Sequence, residues 1–285
     1  MSVLVRCRPI GVFDSGVGGF TVVREICRQM PGEEILYFAD TAHVPYGPRP
    51  ADELIRFAID ITGFLVAQGA KMILVACNTS SSLALDVLQE RFPVPIVGVV
   101  QPGAEEAVRQ TRNGRVGVLA TEATIRKGAH AAKIRELSNE IEVFGQACPR
   151  FVPLVESGCF AGPEAYAAAK EYVTPLIDAG VDTIIFGCTH YPFLEPVIRS
   201  ITGDQITLVD PACQTVARGQ AILQKLRLTC RDPYGKALHH RFYVSGDRDD
   251  FYASGRALLD PDLLEDVRPV VLDQWQEKEA ESASA

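Results

Sequence analysis

The 285-residue chain carries a net charge of −8, with 47% hydrophobic and 22% charged residues, the balance of one large globular domain or two modest ones. No apolar run reaches the roughly 18 residues needed to cross a bilayer, and the start, MSVLVRCRP, is too short and broken to be a secretory signal. The charge and the lack of an arginine/lysine stripe argue against a nucleic-acid surface, so the expectation is a cytoplasmic protein that catches any anionic ligand with local donors.

In chain order, β-rich runs are predicted at Ile10–Asp14, 34–40, 72–76, 95–100, Arg115–Ala120, 140–144, Thr183–Gly187 and 205–210. Segments with apolar spacing of three and four, such as ADELIRFAIDITGFLVAQGA, separate most of them. Alternation of this kind predicts an α/β fold of mostly parallel sheets with helices on both faces. In such sheets the residues just after each strand hold the ligand. HHRFYVSGD reads as a further strand, DDFYASGRALL as a helix and EKEAESASA as a disordered end.

The strand ends repeat. AQGAKMILVACNT (67–79) parallels DAGVDTIIFGCTH (178–190), with Cys77 eight positions after Gly69 and Cys188 eight positions after Gly180. Gly11–Ser15 likewise parallels Gly117–Thr121, and Tyr37–Asp40 corresponds loosely to the stretch ending at Glu156. Two pseudo-symmetric domains follow: residues 102–209, and residues 1–101 completed by 210–285, joined by packed crossovers and enclosing an interdomain cleft.

The eight cysteines, spread through the chain without a CxxC pair, are neither a disulfide framework nor a structural zinc site, and most are expected to be inert buried thiols. Cys77 and Cys188 differ because the repeat places each at a strand-to-helix junction, where a helix N-terminus favours thiolate. One such cysteine could be core packing or a hydrolase nucleophile. Cys188 and His190 could also hold zinc, but without a recognisable ligand spacing. A facing pair suggests a different chemistry. One thiolate takes a proton from a carbon acid while the opposite thiol returns one to the other face, inverting a stereocentre.

Five motifs, FDSGVGGFTVV, ADTAHVPYGPR, VACNTSSS, LVESG and GCTHYP, occur in the order and approximate spacing of bacterial glutamate racemases, which the chain resembles from about residue 9 to 245. The resemblance implies two catalytic cysteines, Cys77 and Cys188, with Cys77 acting on D-glutamate and Cys188 on L-glutamate. It also implies the auxiliary acid/base residues Asp14, Asp40, Glu156 and His190. Donors for the substrate map to Ser15, Tyr46, Gly47, Asn78, Thr79 and Thr189, with Asp14 and His190 also at the substrate. No cofactor and no metal are implied, the partner molecule is glutamate, the assembly is a homodimer, and D-glutamate feeds peptidoglycan precursors.

Simpler roles exist for several of these residues. Asp14 could be a plain helix N-cap and Tyr46-Gly47 only a turn; His43, His130 and the His239-His240 pair have no motif context. Ala39 stands where many relatives have glycine, and Gln101 where many have glutamate. Rival functions are a racemase acting on aspartate or a hydantoin, and a catalytically silent binding protein. An aspartic protease is rejected, because its DSG needs an all-β setting and a second copy, and GVGG lacks the spacing of a nucleotide loop. Asp14 corresponds to Ala120 in the repeat, so the carboxylate exists on the Cys77 side only and Asp14 is expected to serve that side.

Overall fold

The computed structural model describes residues 6–230 and 238–272, so the tail expected to be disordered lies outside the described residues. Among the described residues ten strands form two sheets, and every strand pairing is parallel. The first sheet combines β1 (Ile10–Asp14), β2 (Ile35–Ala39), β3 (Met72–Val75) and β4 (Ile96–Gly98) with β9 (Arg241–Val244) and β10 (Val267–Pro269). Its order is β10-β9-β2-β1-β3-β4. The second has β5 (Arg115–Ala120), β6 (Glu142–Ala147), β7 (Thr183–Gly187) and β8 (Thr207–Val209) in the order β6-β5-β7-β8.

Without β9 and β10, the order β2-β1-β3-β4 matches β6-β5-β7-β8 strand for strand. The repeat read from the cysteines therefore extends to the topology. The central strands β1, β3 and β7 are buried along their whole length, which explains their mostly apolar sequences, with a polar residue only at the end of β1 and the start of β7: helices cover both faces of a parallel sheet. The edge strand β6 is only half buried, and it runs to Ala147 where the sequence suggested an end at Phe144.

The paired glycines have a conformational cause. Gly69 and Gly180 both have positive φ, +92° and +70°, which costs a residue without a Cβ little. In each copy the glycine N–H bonds the carbonyl three residues back, and the next N–H bonds the carbonyl five back. This glycine-terminated helix end aims the chain into β3 in one copy and β7 in the other.

Strand register corrects one expected correspondence. Asp14 pairs with Ala39 and Ala120 with Ala147, and the N–H groups of Asp40 and Cys148 bond the Asp14 and Ala120 carbonyls in the same way. The counterpart of Asp40 is thus Cys148. Glu156 instead ends the short helix Phe151–Glu156 that follows β6.

The connections between the sheets are packed, as expected. The chain passes from β4 into helix α4 (Val100–Gln110) and returns from β8 into α10 (Pro211–Lys225), numbering helices from α1 (Phe20–Gln29). A Cβ at Gly103 would stand 2.9 Å from the Pro211 ring. Cys7 and Cys230 form a disulfide, so these two are not free thiols; Cys27, Cys77, Cys148, Cys159, Cys188 and Cys213 are.

Candidate active site

The carboxyl ends of both sheets open on one cavity of about 260 Å³, a size for a small molecule. From the first sheet come Ser15, the run Val44–Pro48, Cys77, Asn78 and Thr79. From the second come Thr121, Glu122, Cys148, Pro149, Val152, Pro153, Cys188, Thr189 and His190. All the residues expected to bind substrate line it except Asp14, which lies just behind the wall. Asp40 and Glu156 also lie behind it, each touching a lining residue.

The two cysteines occupy equivalent places with unequal surroundings. Cys77 is the N-cap residue of α3 (Asn78–Arg91), 14 residues long. Despite that helix, burial pushes its thiol up to about 12, and the Asp14 carboxylate adds to the effect; the Ser80 N–H and hydroxyl act the other way. Desolvation therefore outweighs the helix dipole here. Cys188 is followed by a helical turn, Tyr191–Leu194, that runs straight into the helix Glu195–Thr202, so a helix start alone does not set it apart from Cys77.

What Cys188 has is a histidine. Its Sγ lies 3.6 Å from His190 Nδ1, and His190 Nε2–H donates to Glu156 Oε1 at 2.6 Å. Burial disfavours charge on this imidazole, but the Cys188 sulfur and the Glu156 carboxylate more than offset it and hold the group well above the ordinary histidine range. The positive charge of this imidazole thus lies against the Cys188 sulfur. His190 thus gives the cavity a cationic group where only neutral donors were expected from the charge balance.

Asp14 is fully buried between the halves. The Thr189 hydroxyl donates to Oδ1 at 3.0 Å and the Gly16 N–H to Oδ2 at 3.1 Å. Burial raises its carboxyl, while His190, Gly16 and Thr189 partly counter the rise. It is not an N-cap, since α1 is capped by Gly19 without a side-chain bond. Its side-chain partner Thr189 is the neighbour of Cys188, while its charge acts on Cys77.

The glycine run GVGG lets β1 approach the opposite half. A Cβ at Gly18 would fall 2.5 Å from both His190 Nδ1 and Thr189 Oγ1, and one at Gly16 would fall 2.6 Å from Glu156 Oε1. Gly18→Ala should therefore push His190 off Cys188 and lower kcat about tenfold, while leaving the unfolding transition cooperative. Unchanged kcat in that variant, measured by circular dichroism of the product mixture, would contradict the close approach.

Several functional positions lacked a motif. Thr121 lines the cavity and bonds Thr79 across the seam at 3.1 Å (Oγ1 to Oγ1); its match to Ser15 in the repeat was the available signal. Cys148 lines the wall as a buried neutral thiol, raised by desolvation first. Asn78 Oδ1 is buried without a hydrogen-bond partner among the described residues, an acceptor suited to an ammonium group. The two departures stay away from the cavity: Ala39 is buried inside β2, and the Gln101 amide donates to Glu105 within α4.

Residues 10–218 match the family model described as Asp/Glu/Hydantoin racemase. The chain is 48% identical to the glutamate racemase of Desulforudis audaxviator, over 86% of this chain and 91% of that one. It is 43% identical to the glutamate racemase of Geobacter metallireducens, over 95% and 99%. The crystal structure of the Francisella tularensis glutamate racemase in complex with D-glutamate superposes with a TM-score of 0.85 at 34% identity, covering 94% of this chain and 99% of that one.

Proposed function

The chain belongs to the Asp/Glu/hydantoin racemase family, and we infer that it is a glutamate racemase, an isomerase interconverting L- and D-glutamate. The observation that carries the mechanism is the pair Cys77 and Cys188, placed at equivalent strand ends of two matching sheets and lining one cavity. On this reading residues 1–101 with 210–285, and residues 102–209, are the two domains that hold the substrate between them.

From L-glutamate, the Cys188 thiolate takes the α-proton and the Cys77 thiol gives its own proton to the opposite face. The electron pair left by the first C–H bond forms the second, so the product is D-glutamate, with Cys188 now a thiol and Cys77 a thiolate. The reverse reaction exchanges the two roles. His190, oriented by Glu156, stabilises the Cys188 thiolate. The hydroxyls of Ser15, Thr79 and Thr189, the Asn78 amide, the backbone of Tyr46-Gly47 and the N–H groups at the start of α3 bind the charged ends of the amino acid. Asp14 holds Thr189 in place.

Glutamate is favoured over aspartate or a hydantoin by the relatives' identity across nearly their whole length. The intact cysteine pair favours catalysis over silent binding. A cytoplasmic homodimer that supplies D-glutamate to peptidoglycan precursors completes the reading; light scattering of the purified protein tests the dimer. No helix among the described residues is long and apolar enough to cross a membrane.

Proton NMR in D₂O tests the activity without added pyridoxal phosphate. The α-proton signal of L-glutamate should disappear as D-glutamate accumulates to equal concentration. Retention of the signal from both enantiomers would refute the assignment, and inversion of aspartate alone would replace the substrate.

A further inference from the structure

Asp40 lies outside the cavity, yet the cavity wall depends on it. Its carboxylate is 1% exposed and accepts three side-chain hydrogen bonds. Ser245 Oγ donates to Oδ1 at 2.7 Å, His43 Nδ1–H to the same oxygen at 2.8 Å, and the Tyr46 hydroxyl to Oδ2 at 2.6 Å. Tyr46 is the middle of the five consecutive residues, Val44–Pro48, that form one wall.

The corner after β9 grips the same place. Ser245 follows β9, and its oxygen also accepts the Ala42 N–H at 3.0 Å, while the Gly246 N–H donates to Thr41 Oγ1 at 3.1 Å. A Cβ at Gly246 would meet Thr41 Oγ1 at 2.6 Å. The helical turn Thr41–His43, from which the wall leaves, is therefore clamped between Asp40 and the Ser245-Gly246 corner. At the far side Arg49 Nε donates to the His43 carbonyl at 2.6 Å. Ser245 lies beyond the residues 10–218 that carry the family match.

We propose that Ser245 and His43 are positioning residues that set glutamate affinity by pinning Asp40 and, through Tyr46, the wall Val44–Pro48. The inference rests on the glutamate racemase reading for its substrate. A buried carboxylate stays where its donors hold it. Removing the Ser245 hydroxyl takes one donor from Asp40 and leaves the Ala42 N–H without its acceptor. The wall then samples other positions in the free protein, and substrate binding has to re-order it. The cysteines lie just past the ends of β3 and β7, whose pairing this change does not touch, so the chemical step is spared.

Steady-state kinetics and calorimetric titration of full-length variants test this. Ser245→Ala and His43→Ala should each raise KM for both enantiomers about tenfold, with kcat within about twofold. Ser245→Thr, which keeps the hydroxyl, should restore KM, and His43→Asn, which keeps a donor near Nδ1, should restore it in part. A lowered melting temperature with KM and Kd unchanged would overturn the proposal in favour of a purely structural role. A fall in kcat at constant KM would overturn it in favour of a direct part in proton transfer. Wild-type protein that binds L-glutamate without racemising it would sink the functional reading alone; the clamp would then stand or fall on the Kd of the same variants.

Discussion

Cys77→Ser and Cys188→Ser should each lower the rate of racemisation by at least about 10³-fold, with folding intact. Both side chains are buried and similar in size to serine, and neither is bonded to another cysteine. What changes is acidity and nucleophilicity toward the proton: the thiolate is the working form, and an alcohol does not supply its equivalent near neutral pH. With one cysteine gone, a carbanion formed on one face has no donor on the other. Near-normal turnover in either variant, with melting temperature unchanged, would remove the two-base mechanism.

The two variants should nevertheless differ in a half-reaction. Enantiomers have equal free energy, so kcat/KM must be the same in both directions for any variant that racemises. A directional difference can appear only in kcat and KM separately, or in exchange without inversion. Cys77→Ser keeps Cys188 with His190 and should exchange the α-proton of L-glutamate with solvent. Cys188→Ser keeps Cys77, whose thiol is held up to about 12 by burial and by Asp14. Its exchange of D-glutamate should be slower at neutral pH and should climb about tenfold per pH unit below that value, because the thiolate fraction does. Faster exchange from Cys188→Ser at pH 7 would reverse the assignment of environments.

Parallel topology was legible because its strands are buried on both faces. β1, β3 and β7 are apolar through their middles for that reason, and the cysteines mark where two of them end. Edges were not so clear: β6 is half exposed and its end was misplaced, and β10, three residues long with two of them exposed, carried no readable pattern. The cysteines and the lining residues of known motifs could be found along the chain. Which carboxylate meets which partner could not, since it depends on how the halves face each other. Asp14 is paired in sequence with Ala120 but in space with Thr189, and Asp40 shares its register position with Cys148. His43 and Ser245 gain their role only because β9 adds beside β2 and brings residue 245 to residue 40.

The surroundings of Cys188 carry the second large effect. His190→Asn should lower kcat about 10²- to 10³-fold, because it removes both the charge beside the Cys188 thiolate and the proton carrier. Glu156→Gln is the finer probe. It preserves an oxygen to accept the His190 Nε2–H but removes the negative charge, one of the interactions that raise the imidazole. The sign follows from that: without the charge, the His190 pKa falls. The alkaline limb of the kcat profile should then move to lower pH, so the loss relative to wild type grows as pH rises. The same linkage acts on stability. A histidine raised in the folded state stabilises it fully below the unfolded value of about 6.5, and this contribution disappears as pH climbs through the native value. Wild-type stability should therefore fall with pH over a range where that of Glu156→Gln has already lost part of the His190 contribution. Imidazole titration by NMR reads the shift directly. An unmoved alkaline limb, with the His190 resonance titrating as in wild type, would show that Glu156 does not hold the charge on His190.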